Sequence, residues 1–258
     1  MKREVRVFSD QSSLVQFAAE LIFREASTAV AGRGRFHFVL SGGGTPEPLY
    51  EYLAEPEQRG AISWERTHIY WGDERCVPPD EAGSNYRQAK MLLLDHLPIV
   101  PENVHRMKGE LLPEEAASEY AVKLAALGEG ARKWPRFDVV LLGMGEDGHT
   151  ASLFPGSRSD DFINRSAMAV TAHYSDRPSN RVTLTPQVFN SARKILFLVA
   201  GEGKAEVVKA VINGPNAPRK WPAQHIRPED GLVYWLLDEG AASKMPNLQP
   251  ILIVDESS

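Results

Sequence analysis

Cysteine is almost missing from this chain of 258 residues: Cys76 stands alone. That excludes a disulfide framework within the chain, and no Cys/His pattern with zinc-ligand spacing surrounds it. A reducing compartment is implied. Long apolar runs are absent as well. A stretch such as Ile195 to Ala200 falls far short of the ~20 apolar residues that a membrane helix needs. Cationic excess is the third absence. Lys and Arg number 29 against 34 Asp and Glu, a formal net charge of −5. Nucleic acid and anionic membranes both require a basic field, so neither is expected as a partner. An anionic ligand must therefore find its cations gathered locally. Internal repeats and low-complexity linkers are also lacking. Met1 to Asp10 alternates charge with single apolar residues and holds no apolar leader core. A soluble, cytoplasmic protein is the expectation.

What is present reads as alternating strands and helices. Leu14, Phe17, Ala18, Leu21 and Ile22 fall at helical spacing within residues 11–31, with Ser12 or Ser13 available as a cap. The short apolar run Phe36 to Leu40 then meets Ser41-Gly-Gly-Gly-Thr-Pro46. Helical periodicity resumes after it, with Thr45 as the expected N-cap and Pro46 at the first position. Thr67 to Trp71 repeats the strand pattern and ends in Gly72-Asp-Glu-Arg75. Helices are expected over 84–97, 111–127 and 204–212, and further strands over 139–142, 194–200 and 232–237. Strands and helices alternating at this interval predict βαβ crossovers. The fold class is α/β, a doubly wound, mainly parallel Rossmann-like sheet flanked by helices on both faces. The Pro-rich segment 213–222 is the one tempting boundary, but it is short and strand-like sequence follows. One domain over 1–258 is expected.

In such a sheet, ligands sit at the carboxyl ends of the strands, so segments 41–46, 72–75, 143–149 and 201–204 should converge. Gly42, Gly43, Gly44 and Thr45 offer free amides before a helix, a natural phosphate cradle. No Gly-Lys-Ser/Thr ending follows, so this is not a nucleotide P-loop. Arg75 has the fork to grip a phosphate, and Asp73 the acceptors to orient a donor or hold a sugar hydroxyl. Cys76 reads most simply as a packed thiol. Gly143, Gly145 and Gly148 satisfy a dinucleotide fingerprint, but polar Glu146 and Asp147 fill the loop and Pro155-Gly156 breaks any helix at once. His149, flanked by Asp147 and Gly148 at a strand end, is instead placed to be oriented and to titrate near neutrality. Lys204 opposes the helix dipole unless an anion is nearby. Arg181 begins a β-like stretch and is a further candidate cation.

Together, Ser41-Gly-Gly-Gly-Thr-Pro46, Trp71-Gly-Asp-Glu-Arg75 with Ser84-Asn-Tyr86, the stretch Gly143 to Pro155, Arg181-Val-Thr-Leu-Thr185 and Gly201 to Lys204 occur in an order that resembles the 6-phosphogluconolactonases. The resemblance covers nearly the whole chain. Gly44 departs from relatives that carry a larger side chain there, which removes a side-chain contact but no backbone one. The related glucosamine-6-phosphate deaminases share the Gly-His turn but follow it with Asn and Glu. This chain has Thr150-Ala-Ser-Leu-Phe-Pro155 instead. The resemblance implies hydrolysis of 6-phospho-D-glucono-1,5-lactone without metal or cofactor. It implies His149 as general base, Asp147 orienting it, Asp73 positioning groups in the site, and a phosphate held by Gly42, Gly43, Gly44, Thr45, Arg75, Arg181 and Lys204. A noncatalytic sugar-phosphate sensor and an NAD-dependent dehydrogenase are the other classes weighed. The first would usually carry a partner domain, and the second an acidic residue after the next strand.

Overall fold

A computed structural model describes residues 2–128, 133–173 and 178–246, and the backbone of 251–254. The chain runs through β1 (Lys2–Phe8), α1 (Gln11–Arg33), β2 (Phe36–Leu40), α2 (Glu47–Ala54), β3 (Thr67–Trp71), β4 (Asp73–Arg75), α3 (Asn85–Leu92), β5 (Val104–His105) and α4 (Pro113–Ala125). It continues through β6 (Val139–Leu142), β7 (Ala167–Thr171), β8 (Asn180–Leu184), α5 (Pro186–Asn190), β9 (Lys194–Val199), α6 (Ala205–Asn213), β10 (Leu232–Asp238), α7 (Glu239–Ala242) and β11 (Ile251–Val254).

Eight strands form one sheet in the order β11-β1-β10-β9-β6-β2-β3-β5. Its pairings are parallel except that of β1 with β11. The central strands are apolar on both faces because both faces are covered. Successive residues therefore alternate between two cores. Val39, Val140, Leu142, Phe197 and Val199 meet α4 to α7 through residues such as Tyr120, Phe189, Val208 and Ala241. Phe38, Leu40, Val139, Leu141 and Leu198 meet α1 to α3 through Ile22, Leu53 and Ala89. Helices thus flank the sheet on both faces, as the alternating pattern predicts.

Local chemistry moves several boundaries. Asp10, not Ser12 or Ser13, caps α1, its carboxylate accepting the Ser13 N–H at 2.8 Å. Gly34 ends the helix at φ 73°, a left-handed conformation suited to glycine. Thr45 does not cap α2, which starts at Glu47 with Pro46 before it and no side-chain cap. The helix expected over 84–97 is α3 followed by a 3₁₀ turn at Leu94–His96, with Ser84 as its cap. Within segment 213–222, the Arg219 carbonyl accepts the Gly156 N–H of the loop after β6 at 2.7 Å.

A second, three-stranded antiparallel sheet, β4-β8-β7, stands beside the first. The chain changes sheets at Gly72, whose N–H donates to Leu40 O at 2.9 Å while its carbonyl accepts the Leu184 N–H at 2.8 Å. At the opposite, amino-terminal end of the main sheet, buried Asp138 accepts from Arg33 at 2.6 Å and from the His37 N–H at 2.8 Å, and pairs with Arg193 at 3.2 Å. One carboxylate there ties α1, β2, β6 and the start of β9.

The same end carries a run of stacked rings. His37 and His68 lie 5.2 Å apart between centroids, His68 and His105 5.4 Å, and Tyr70 and His105 4.6 Å. Burial, reinforced by mutual repulsion and by Arg35, pulls His37 down to about 3. Burial with His68 and Lys123 nearby pulls His105 to about 4, and His68 is lowered by burial and Arg35. These rings stay neutral in the folded state below the ~6.5 of an unfolded histidine. As pH falls from about 6.5 toward 3, the unfolded chain takes up protons that the folded one refuses, so stability is lost on acidification. Urea unfolding at pH 5 is expected to show a lower stability than at pH 7.5. The difference should shrink in His105→Phe, and an unchanged difference would show that the cluster does not carry it.

Candidate active site

The four strand-end segments do meet. They line a cleft of about 210 Å³ that includes Gly42 to Thr45, Asp73, Arg75, His149, Arg181 and Lys204. Of the candidate residues only Asp147 is not on its wall; it stands behind the His149 ring.

The glycine turn is held from outside so that its amides stay available. Tyr50 takes the Ser41 N–H at 3.0 Å and donates to Ser41 O at 2.5 Å. Gln88 donates to Gly43 O at 3.1 Å and to the Glu47 carboxylate at 2.6 Å. Gly43 sits at φ 92°, where an L side chain is strained. Among the described residues, the N–H groups of Gly42, Gly43, Gly44 and Thr45 meet no acceptor. Such a row of amides ahead of a helix is suited to an anion.

β4 presents its side chains by a different device. Glu74 is buried and gathers the N–H groups of Arg75, Asn85 and Tyr86 at 2.7 to 2.8 Å, plus the Ser84 hydroxyl at 3.1 Å. Burial raises its pKa, and the three amides work against that rise. The carboxylate thus fixes the start of α3 against β4. Asn85, carried there, donates through Nδ2 to Asp73 O at 2.9 Å and Oδ1 at 3.3 Å. Ser152 donates to the other Asp73 oxygen at 2.6 Å. Asp73 therefore links the glycine-turn side of the cleft to the histidine side. Asn85 also packs against Gly42 so closely that a Cβ there would lie 1.9 Å from its Oδ1.

Arg75 and Arg181 are direct cross-strand partners on β4 and β8, and both line the cleft. Like charges placed opposite one another are unfavourable without an anion between them. Arg75 is braced by Gly83 O at 2.5 Å, and the Arg181 guanidinium lies 5.8 Å from the Phe154 ring centre. Lys204 adds a cation just ahead of α6. Cys76, beside Arg75, is half-buried, and burial together with Glu74 pushes its thiol up to about 11. It is a poor nucleophile there.

The turn after β6 closes on itself. Gly145 N–H donates to His149 O at 2.8 Å and Gly148 N–H to Gly145 O at 3.0 Å. Asp147 Oδ1 stands 2.5 Å from His149 Nδ1 and also accepts the His149 N–H at 3.1 Å. Anchored to a carboxylate, Nδ1 carries the proton and leaves Nε2 as the basic nitrogen. Two glycines are required sterically. A Cβ on Gly145 would lie 2.1 Å from His149 Nδ1, and one on Gly148, at φ +77°, would lie 2.8 Å from the Trp221 ring. Ala151, at φ 48°, is a strained non-glycine residue on the cleft wall, of the kind that collects at functional sites. Its neighbours hold it: Thr150 donates to Gly143 O at 2.8 Å and Ser152 to Asp73.

A family model described as glucosamine-6-phosphate isomerases/6-phosphogluconolactonase matches residues 9–235. The chain belongs to that family. A 6-phosphogluconolactonase of Synechocystis is 37% identical over 252 residues, spanning 97% of this chain and 100% of the relative. One of Mycobacterium tuberculosis is 37% identical over 255 residues, 96% of this chain and 100% of its own length. The crystal structure of 6-phosphogluconolactonase from Thermotoga maritima superposes with a TM-score of 0.77 at 30% identity, covering 92% of this chain and 100% of that one. The Trypanosoma brucei 6-phosphogluconolactonase structure gives 0.83 at 28%, covering 95% and 99%. A monomeric glucosamine-6-phosphate deaminase of the NagB superfamily, at 0.79 and 23% identity, shows the shared fold alone.

Within this family member, sequence reading missed Asn85 and Ser152 as parts of the site. Both lie in stretches that carry the resemblance, but their roles arise only when β4 is placed between them. The close fit of Asn85 against Gly42 has a measurable consequence. Gly42→Ala should destabilise the protein by about 1–3 kcal/mol through overpacking. Asn85→Ala in the same chain should recover part of that loss. Additive losses in a urea double-mutant cycle would contradict the contact.

Proposed function

We propose that this protein hydrolyses 6-phospho-D-glucono-1,5-lactone to 6-phospho-D-gluconate, the lactonase step of the oxidative pentose phosphate pathway. The observation that carries this reading is the Asp147–His149 pair facing a cleft that also holds free amides and three cations. The curated relatives named above support it. The phosphate rests on the Gly42 to Thr45 amides, the Thr45 hydroxyl, Arg75, Arg181 and Lys204. His149 Nε2 takes a proton from water as its oxygen attacks C1. The carbonyl oxygen becomes an oxyanion, stabilised by nearby N–H donors. Collapse breaks the bond from C1 to the ring oxygen, which leaves with the proton held on His149. Water is consumed and a hydroxy acid results, with no cofactor in the step. Asp147 holds the imidazole in the productive tautomer, and Asp73 positions the groups around it.

The substrate is a small soluble phosphorylated lactone, and the setting we infer is cytoplasmic, with one domain over 1–258 and no nucleic-acid or membrane partner. Among the described residues, no helix is long and apolar enough to cross a membrane. The deaminase reading finds no support in residues 150–155, where Ser152 is engaged with Asp73 and no Asn or Glu follows the histidine.

With lactone generated in situ and acid release followed, His149→Ala should lower kcat by ~10²–10⁴. Full retained activity, or ammonia release from glucosamine 6-phosphate by the wild type, would overturn the proposal. Arg75→Ala should raise KM for the phosphorylated lactone far more than for unphosphorylated gluconolactone. An equal rise for both would remove Arg75 from the phosphate site.

A further inference from the structure

The Pro-rich segment after α6 packs against the turn that carries His149. The Ala223 N–H donates to Gly148 O at 2.9 Å, and the Gly156 N–H donates to Arg219 O at 2.7 Å. These two backbone bonds bracket the histidine from either side in sequence. Between them the Trp221 ring lies against Gly148, with Val207 of α6 also close, leaving no room for a Cβ. Trp221 itself is partly buried against the core.

The segment is anchored by one side chain. Gln224 is 5% exposed. Its Oε1 accepts the Ala217 N–H at 2.7 Å, and its Nε2 faces the carbonyls of Pro215, Val211 and Ala210 at 3.1 to 3.3 Å. Two of those carbonyls belong to the last turn of α6, where Ala210 O also accepts the Gly214 N–H at 3.1 Å. Gln224 therefore ties the strap to the far end of the helix that starts beside Lys204. None of the strap lines the cleft, so its route to the chemistry runs through the Gly148 peptide.

We propose that residues 215–226 act as a positioning strap for His149, with Trp221 as the wall behind its turn and Gln224 as the anchor. Gly148, at φ +77°, has the widest conformational freedom of any residue type. The strap removes that freedom by a hydrogen bond to its carbonyl and an aromatic ring on its Cα. The imidazole of the next residue is then delivered to the cleft at one depth. Binding of the phosphorylated end depends on other elements, so the strap should govern turnover and leave affinity in place.

The inference rests on His149 acting as the base. Trp221→Leu, Trp221→Phe and Gln224→Leu would be assayed for kcat and KM with the phosphorylated lactone, and for binding of 6-phosphogluconate by calorimetry. Expected is a fall in kcat of roughly 10- to 100-fold for Trp221→Leu and Gln224→Leu, the range for a misplaced catalytic group. KM and product affinity should stay within about threefold, and Trp221→Phe should recover most of the rate. Wild-type kcat in folded Trp221→Leu would overturn the strap, as would a parallel loss of product affinity, which would mark general structural support. If Gln224→Leu does not fold, Trp221→Leu and Trp221→Phe decide the matter alone. An inactive His149→Ala beside fully active strap variants sinks the strap and leaves the lactonase reading intact. Full activity in His149→Ala sinks that reading first.

Discussion

One buried carboxylate organises the half of the cleft built from β4 and α3. Glu74 accepts three backbone N–H groups and a hydroxyl, so the start of α3 is locked onto β4. Asn85 then reaches both Gly42 and Asp73, and Arg75 extends across from Arg181. A charge with so little water around it is tolerable only because every donor is preset. Removing it would unfasten the glycine turn, the arginine pair and the Asp73 link together.

The site sets three cations beside carboxylates that are already engaged by hydrogen bonds. Arg75, Arg181 and Lys204 share the cleft wall with Asp73, whose carboxylate is engaged by Asn85 and Ser152, while that of Glu74 is turned inward onto amides and a hydroxyl. An acidic chain can thereby present a locally cationic face. This meets the requirement set by the net charge of −5: the cations are gathered by strand register, not by composition. Arg75 and Arg181 stand opposite one another on β4 and β8, a register in which the proposed phosphate would offset the repulsion of like charges.

The sheet, the glycine turn and the Asp147–His149 turn were legible because each is local. An apolar run followed by glycines and a polar tip announces a strand end whatever surrounds it. Less local features were not. In β1 only Val5 is buried among the seven residues, so the strand reads as charged surface until β10 is beside it. β7 and β8 form a sheet of their own with β4, a pairing across about a hundred residues. Thr45 carried the right residue type for a cap, but the helix starts past it, with Pro46 and Pro48 around its first position, and Thr45 lines the cleft instead. Asn85 and Ser152 acquire their roles from Asp73, far from either in sequence.

The placement of β1 also bears on how the molecule is made. Lys2 pairs with Leu232, so the first strand has no parallel neighbour until nearly the whole chain has left the ribosome. At ~5–20 residues per second that wait lasts roughly 10–50 seconds. Through it the nascent strand carries Lys2, Arg3, Glu4 and Arg6, charges of the kind that discourage an open strand from pairing with the wrong neighbour. The polar alternation that hid β1 from sequence reading thus serves as its protection during synthesis.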